Sequence, residues 1–186
     1  MIITISGMPG TGKTSAAKII AAQLGMPFYS VGSLRGKMAL ERGMTIDELN
    51  KIGESDHTTD TTVDDYQREL GKKEDHFVIE GRLSWHFIPN SVKVFLTCDV
   101  KEAARRIFLA RQNPAEGRND EPAYATEEAA EQSIAARIAS DELRYQKYYQ
   151  VDYRDPSHYD IVIDTTAKKS AQETADAVLD KIHSLT

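Results

Sequence analysis

Gly7-Met8-Pro9-Gly10-Thr11-Gly12-Lys13-Thr14 follows the spacing G-x-x-x-x-G-K-[ST], and each fixed position answers a chemical need. Glycines let the backbone turn so that successive N–H groups point inward as a nest for a polyphosphate. Lys13 brings a point charge to the β- and γ-phosphates, and Thr14 offers a hydroxyl to Mg²⁺. The run Ile2-Ile3-Thr4-Ile5 reads as a buried strand, and 15–24 reads as a helix opening on the loop. A phosphate there would meet the orphan amides and the positive dipole end of that helix. The stretch Gly7 to Ser15 is therefore expected to hold ATP with its Mg²⁺.

Cations and carboxylates elsewhere extend that chemistry. Transfer between two phosphorylated molecules gathers many negative charges, so catalysis by positioning and electrostatics needs several Arg or Lys around one centre. Arg suits phosphate because its planar fork donates two parallel bonds. Arg35 and Arg82 each follow an apolar run, and Arg82 sits between Gly81 and Leu83. Arg105, Arg106 and Arg111 share one helix, Arg118 lies in a charged loop, and Arg137 and Arg144 lie on a long helix. A lone Arg on a helix is most often solvated, which is the expectation for Arg105, Arg106 and Arg144. Glu80 ends the run Phe77-Val78-Ile79, a place from which a carboxylate can order Mg²⁺ through water. Asp60 and Asp64, at i and i+4, share a helix face and can accept from an exocyclic amine or a ribose hydroxyl.

The elements that must carry these groups alternate between strand and helix. Pro27-Phe28-Tyr29 reads as a short second strand, and 33–42 as a helix stopped by Gly43. Thr45-Ile46-Asp47-Glu48 is a capping box. Residues 54–59 read as loop and 60–70 as a helix closed by Gly71. Strands follow at 77–79, 92–97 and 159–164, with helices at about 99–111 and 127–149 and a last one capped by Ser170 and Glu173. Residues 112–126, with Pro114, Gly117 and Pro122, read as a long loop of the kind that closes over a site. Five strands alternating with helices predict an α/β fold with a parallel sheet covered on both faces. Ligands in such folds bind beyond the carboxyl ends of the strands, where the cations collect.

Composition narrows the classes. A chain of 186 residues with 40% hydrophobic and 28% charged residues fits one ordinary globular domain. Its net charge of −6 argues against a nucleic-acid surface. No apolar stretch reaches a membrane span and no secretory leader is present, so a soluble, cytoplasmic monomer is expected. The single cysteine, Cys98, ends an apolar run and reads as a small buried hydrophobe. Five scattered histidines show no metal-ligand spacing.

Taken together, the ordered motifs resemble the nucleoside monophosphate kinases of the P-loop superfamily, and most closely the archaeal-type cytidylate kinases. The resemblance rests on Ile3 to Thr14, Val31-Gly32-Ser33-Leu34-Arg35, Asp60 with Asp64, Glu80-Gly81-Arg82-Leu83 and 137–164. It implies a three-layer core (1–29, 74–111 and 127–186), an acceptor-binding insert at about 30–73 and a lid at about 112–126. It further implies γ-phosphoryl transfer from ATP to CMP or dCMP. On that pattern Arg35, Asp60, Gly81 and Arg82 would hold the acceptor, while Lys13, Arg111 and Arg137 would contact the transferring group. Thr14 and Glu80 would serve the metal. Ser84-Trp85-His86 and the proline-bearing lid depart from the family, and both touch the acceptor side. Two other readings stand beside this one. A kinase acting on a hydroxyl would need a carboxylate base such as Asp56, Asp60 or Glu80, and a regulatory ATPase would need a partner surface.

Overall fold

Apolar side chains alternate along the central strands and so build two cores at once. In β1 (Ile2–Gly7), Ile3 and Ile5 point to one face and Ile2 to the other. The same alternation sends Val78 one way and Phe77 and Ile79 the other in β3 (Phe77–Glu80). Val94 and Leu96 oppose Phe95 in β4 (Val92–Thr97). Adding β2 (Phe28–Ser30) and β5 (Ile161–Asp164) completes a five-stranded, wholly parallel sheet in the order β2-β3-β1-β4-β5. The computed structural model describes residues 1–112 and 124–185, so most of the expected lid, with its Pro114, Gly117 and Arg118, lies outside the described residues.

Two helices, α1 (Lys13–Leu24) and α8 (Ala171–His183), close one core through Ala16, Ala17, Ile20, Ala175 and Val178. The opposite core is aromatic. Trp85, Phe87, Tyr153 and Tyr159 fill it with Phe77 and Phe95, beside Leu70. A third cluster joins α6 (Val100–Gln112) to the long α7 (Glu127–Tyr149) through Ala103, Ile107, Ala130 and Ile134. Between β2 and β3 the chain makes three helices, α2 (Val31–Glu41), α3 (Ile46–Gly53) and α4 (Thr58–Lys73).

Local signals set most boundaries. The Thr45–Glu48 capping box starts α3, with Thr45 N donating to Glu48 Oε2 at 2.7 Å and Glu48 N to Thr45 Oγ1 at 3.2 Å. Asp99 and Ser170 cap the helices that follow them. Other boundaries differ from the sequence reading. Helix α1 starts two residues earlier, α4 begins inside the expected 54–59 loop, and it runs straight through Gly71, against which Ile88 packs. A short helix, α5 (Ser84–Phe87), has no sequence counterpart; it buries Trp85, whose indole N–H donates to Arg82 O at 3.1 Å. Strand β5 starts at Ile161, because Tyr159 instead turns its hydroxyl to Tyr153 O at 2.5 Å.

Candidate active site

The loop after β1 lies at the point where the sheet order reverses, with β3 on one side of β1 and β4 on the other. That is where open parallel sheets leave a crevice. Gly10 shows why the loop sequence is needed: it has φ +77°, and a Cβ there would lie 2.7 Å from both Cβ and the carbonyl oxygen of Ala103 on α6. Thr11 Oγ1 donates to Met8 O at 3.0 Å, and Lys13 Nζ reaches the same carbonyl at 3.4 Å. Gly12, left-handed, caps α1 and aims that helix's first amides into the loop.

One cavity of about 440 Å³ opens beside the loop. The structure brings Lys13, Thr14, Arg35, Glu80, Gly81, Arg82 and Arg137 to its wall, a set spread over two-thirds of the chain. Gly81 is there for close approach, since a Cβ would lie 2.5 Å from Ser84 Oγ and 2.7 Å from Val31 Cγ2. Glu80 is buried and accepts a short hydrogen bond from the Ser30 hydroxyl, which in turn accepts from Ser33 N at 3.0 Å and caps α2. Arg111 occupies the last turn of α6 and is not among the residues lining this cavity.

Behind the wall runs a ladder of alternating charge. Arg35 meets Asp60 at 2.7 Å, Asp60 meets Arg144 at 2.6 Å, Arg144 meets Asp141 at 2.5 Å, and Asp141 pairs with Arg82. Arg144 is 1% exposed, so the expectation of a solvated side chain is wrong for it. Burial of this depth is tolerated only because each charge finds its counter-ion. Asp60, expected to reach the acceptor, is turned onto Arg35 and Arg144 and does not line the cavity. Burial opposes the charge on Arg82 and Arg144, yet their carboxylate partners hold both guanidiniums above the usual range. Arg35 is the exception. Burial drives its pKa down despite Asp60, the neighbouring Arg144 adds to the fall, and its Nη2 is buried without a hydrogen-bond partner. Arg35 lines the cavity with this hydrogen-bonding capacity unmet.

A second cavity, of about 430 Å³, flanks the other side of the loop at Thr11, Gly12 and Ser15. The segment 166–170 forms its far wall, fixed by Arg106, which donates to the carbonyls of Thr165 at 2.7 Å and Lys168 at 3.1 Å. Arg106 is thus an anchor rather than a solvated residue, whereas Arg105 is exposed and paired with Glu102. Among the described residues, no group of His, Cys, Asp and Glu could hold a metal by itself.

A family model described as the cytidylate kinase-like family matches residues 2–167. The chain belongs to the cytidylate kinase-like family. It is similar to the cytidylate kinase of Methanocella arvoryzae, at 37% identity over 89% of this chain and 88% of that one. Similarity to the cytidylate kinase of Methanospirillum hungatei is 36%, over 89% and 87%. Among solved structures, an uncharacterized protein from Eubacterium ventriosum superposes with TM-score 0.70 at 20% identity, covering 99% of each chain. A shikimate kinase from Acinetobacter baumannii gives 0.63 at 19%, covering 100% of this chain and 94% of that one. These two likenesses show the fold alone. Membership in the cytidylate kinase-like family makes the chain a nucleotide kinase. Among the described residues no helix is long and apolar enough to cross a membrane.

Of the polar cavity residues, Asp141 was passed over by the sequence reading and Arg144 was read as solvated, while Asn50, Lys18 and Lys37 also went unnamed. A signal for the first two existed. The buried stripe of α7 runs Ala130, Ile134, Arg137, Asp141, Arg144, keeping the 3–4 spacing while it changes from apolar to ionic. A charged residue that holds an apolar register faces inward.

Proposed function

We propose that this kinase transfers the γ-phosphoryl group of ATP to a pyrimidine nucleoside monophosphate, CMP or dCMP. One observation carries the reading: the 440 Å³ cavity is lined by the cations Lys13, Lys18, Arg35, Lys37, Arg82, Arg137 and Arg144 against two carboxylates, Glu80 and Asp141. A wall of that charge suits an acceptor that is itself a dianion. The names of the archaeal relatives supply the base.

A phosphate oxygen is already a nucleophile and needs no general base. A hydroxyl acceptor, as in the shikimate kinases that share the fold, would need one. Neither cavity carboxylate suits that task, because Glu80 accepts from Ser30 and Asp141 is paired with Arg82 and Arg144. Asp56 is bound to Thr58 and its pKa is lowered, first by that side-chain hydrogen bond.

In this reading Gly7 to Ser15 cradle the triphosphate of ATP, whose base occupies the second cavity against 166–170. Arg35 and Arg82 grip the acceptor phosphate. Lys13, Arg111 and Arg137 neutralise charge on the group in transfer, and about 30–73 forms the acceptor-binding insert. Thr14 and Glu80 fit a Mg²⁺ ion, since a hydroxyl and a buried carboxylate share the cavity wall with Lys13. When bound, that ion supplies charge neutralisation on the phosphates. Assay of the enzyme with ATP, Mg²⁺ and a panel of CMP, dCMP, UMP, AMP, shikimate and gluconate tests the reading. ADP release at least about tenfold more efficient with CMP or dCMP is expected, a gap of about 1.4 kcal/mol. A preference for shikimate or gluconate overturns it.

A further inference from the structure

Three elements meet at one carboxylate oxygen. Oδ1 of Asp60, on α4, accepts from Nη1 of Arg144, on α7, at 2.6 Å and lies 2.7 Å from Nη1 of Arg35, on α2. Arg35 is also held by Asn50 Oδ1, at 2.7 Å from its Nε, and by Thr59 O, at 3.0 Å from its Nη1. The fork is thereby fixed on two sides, and Nη2 alone is left without a partner. Both arginines line the cavity, whereas Asp60 is 6% exposed and does not. Two guanidiniums brought this close repel unless an anion lies between them.

We propose that Asp60 is a positioning residue, whose Oδ1 ties Arg35 of the insert to Arg144 of the core in one clasp and so holds Arg35 in place for the acceptor phosphate. The proposal rests on the reading that the cavity takes a nucleoside monophosphate. Asp60 then acts on the acceptor only through the two arginines, and its effect is blind to the base. The ATP side, built on the loop after β1, does not depend on it.

Asp60→Asn keeps the shape and removes the charge. The acceptor KM is expected to rise at least tenfold, by a common factor for CMP, dCMP and UMP, while the KM for ATP moves less than twofold. Calorimetric titration of CMP alone should weaken by the same factor. Combined with Arg35→Lys, the variant should cost little more than the worse single change, because both break one clasp. A factor that differs severalfold between acceptors would show Asp60 reading the base and overturn the clamp. So would an unchanged KM, an equal loss on the ATP side, or fully multiplicative effects in the double variant. If Asp60→Asn does not fold, Asp60→Glu carries the test: it keeps the charge and displaces the oxygen. A base-independent rise in acceptor KM supports the clamp, and no rise overturns it. A wild-type enzyme that accepts no nucleoside monophosphate overturns both readings, whereas a wild type active on CMP with an unaffected Asp60→Asn overturns the clamp alone.

Discussion

The proposed donor and acceptor ends of the candidate site are built on opposite plans. The donor end is a contiguous run, Gly7 to Ser15, whose backbone conformation and helix N-terminus do most of the work. The acceptor end is assembled from side chains on α2, α3, β3 and α7, tied by ion pairs between residues as distant as Asp60 and Arg144. A local motif can lose one side chain and keep its form. A buried charge ladder cannot, because each member satisfies its neighbours. Stability and activity should therefore separate at the donor end and move together at the acceptor end.

Arg144→Leu is the hardest blow to that contrast. It strips Asp60 and Asp141 of a shared counter-ion at 1% exposure, and breaking a buried pair costs about 3–5 kcal/mol. Urea unfolding should show that loss, with acceptor binding gone as well. A loss under about 1 kcal/mol would mean that the ladder is not a structural unit. Lys13→Ala is the opposing case. Turnover should drop by roughly 10²–10³-fold, about 3–4 kcal/mol of transition-state stabilisation. Its unfolding midpoint should hardly move, since the form of the loop is set by its backbone and its left-handed glycines Gly10 and Gly12 rather than by this side chain. Near-full activity would break the donor assignment.

Gly81→Ala comes next. The added methyl would press on Ser84 Oγ and Val31 Cγ2, an overpacking cost of about 1–3 kcal/mol. Because Arg82 follows directly, the acceptor KM should rise while the ATP KM stays put. Equal shifts in both would erase the separation between the ends.

The contrast also explains which parts could be read in advance. Strands β1, β3 and β4 declare themselves by alternation, and Gly7 to Thr14 by spacing, because both are decided within a few residues. Arg82 and Glu80 were legible as strand-end residues facing a rim. For Arg144 the register of α7 carried a sign of burial, but nothing in the sequence named its partner 84 positions away in Asp60. Asp60 misled for the same reason: its helix face was right and its partners were unknowable. Helix α5 escaped notice because Trp85 is drawn in by tertiary contacts, stacking on His158 with ring centroids 4.4 Å apart.

Asp64 sharpens the comparison from outside. It lies one helical turn from Asp60 on α4, yet it joins no rung of the ladder. Its carboxylate accepts a short hydrogen bond from Tyr149, whose oxygen is 3.0 Å from His57 Nε2. Burial pushes its pKa up to about 6 from an ordinary 3.8, and the nearby Asp60 adds to the rise. The Tyr149 hydrogen bond and the charges of Arg68 and His57 work the other way and are outweighed. Between these two values the folded protein keeps a proton that the unfolded chain has already released, so this group's favourable contribution is present below about pH 4 and is lost as pH rises past about 6. Relaxation and water penetration around this buried carboxylate bring the effect down to about 1 kcal/mol. Urea midpoints of the wild type and Asp64→Asn, compared from pH 4 to 7, should diverge by that amount, with the wild type losing ground as pH rises. Acceptor KM should be the same for both at any one pH. Parallel midpoint curves would remove the titration at Asp64, and a shifted KM would place Asp64 within the acceptor end after all.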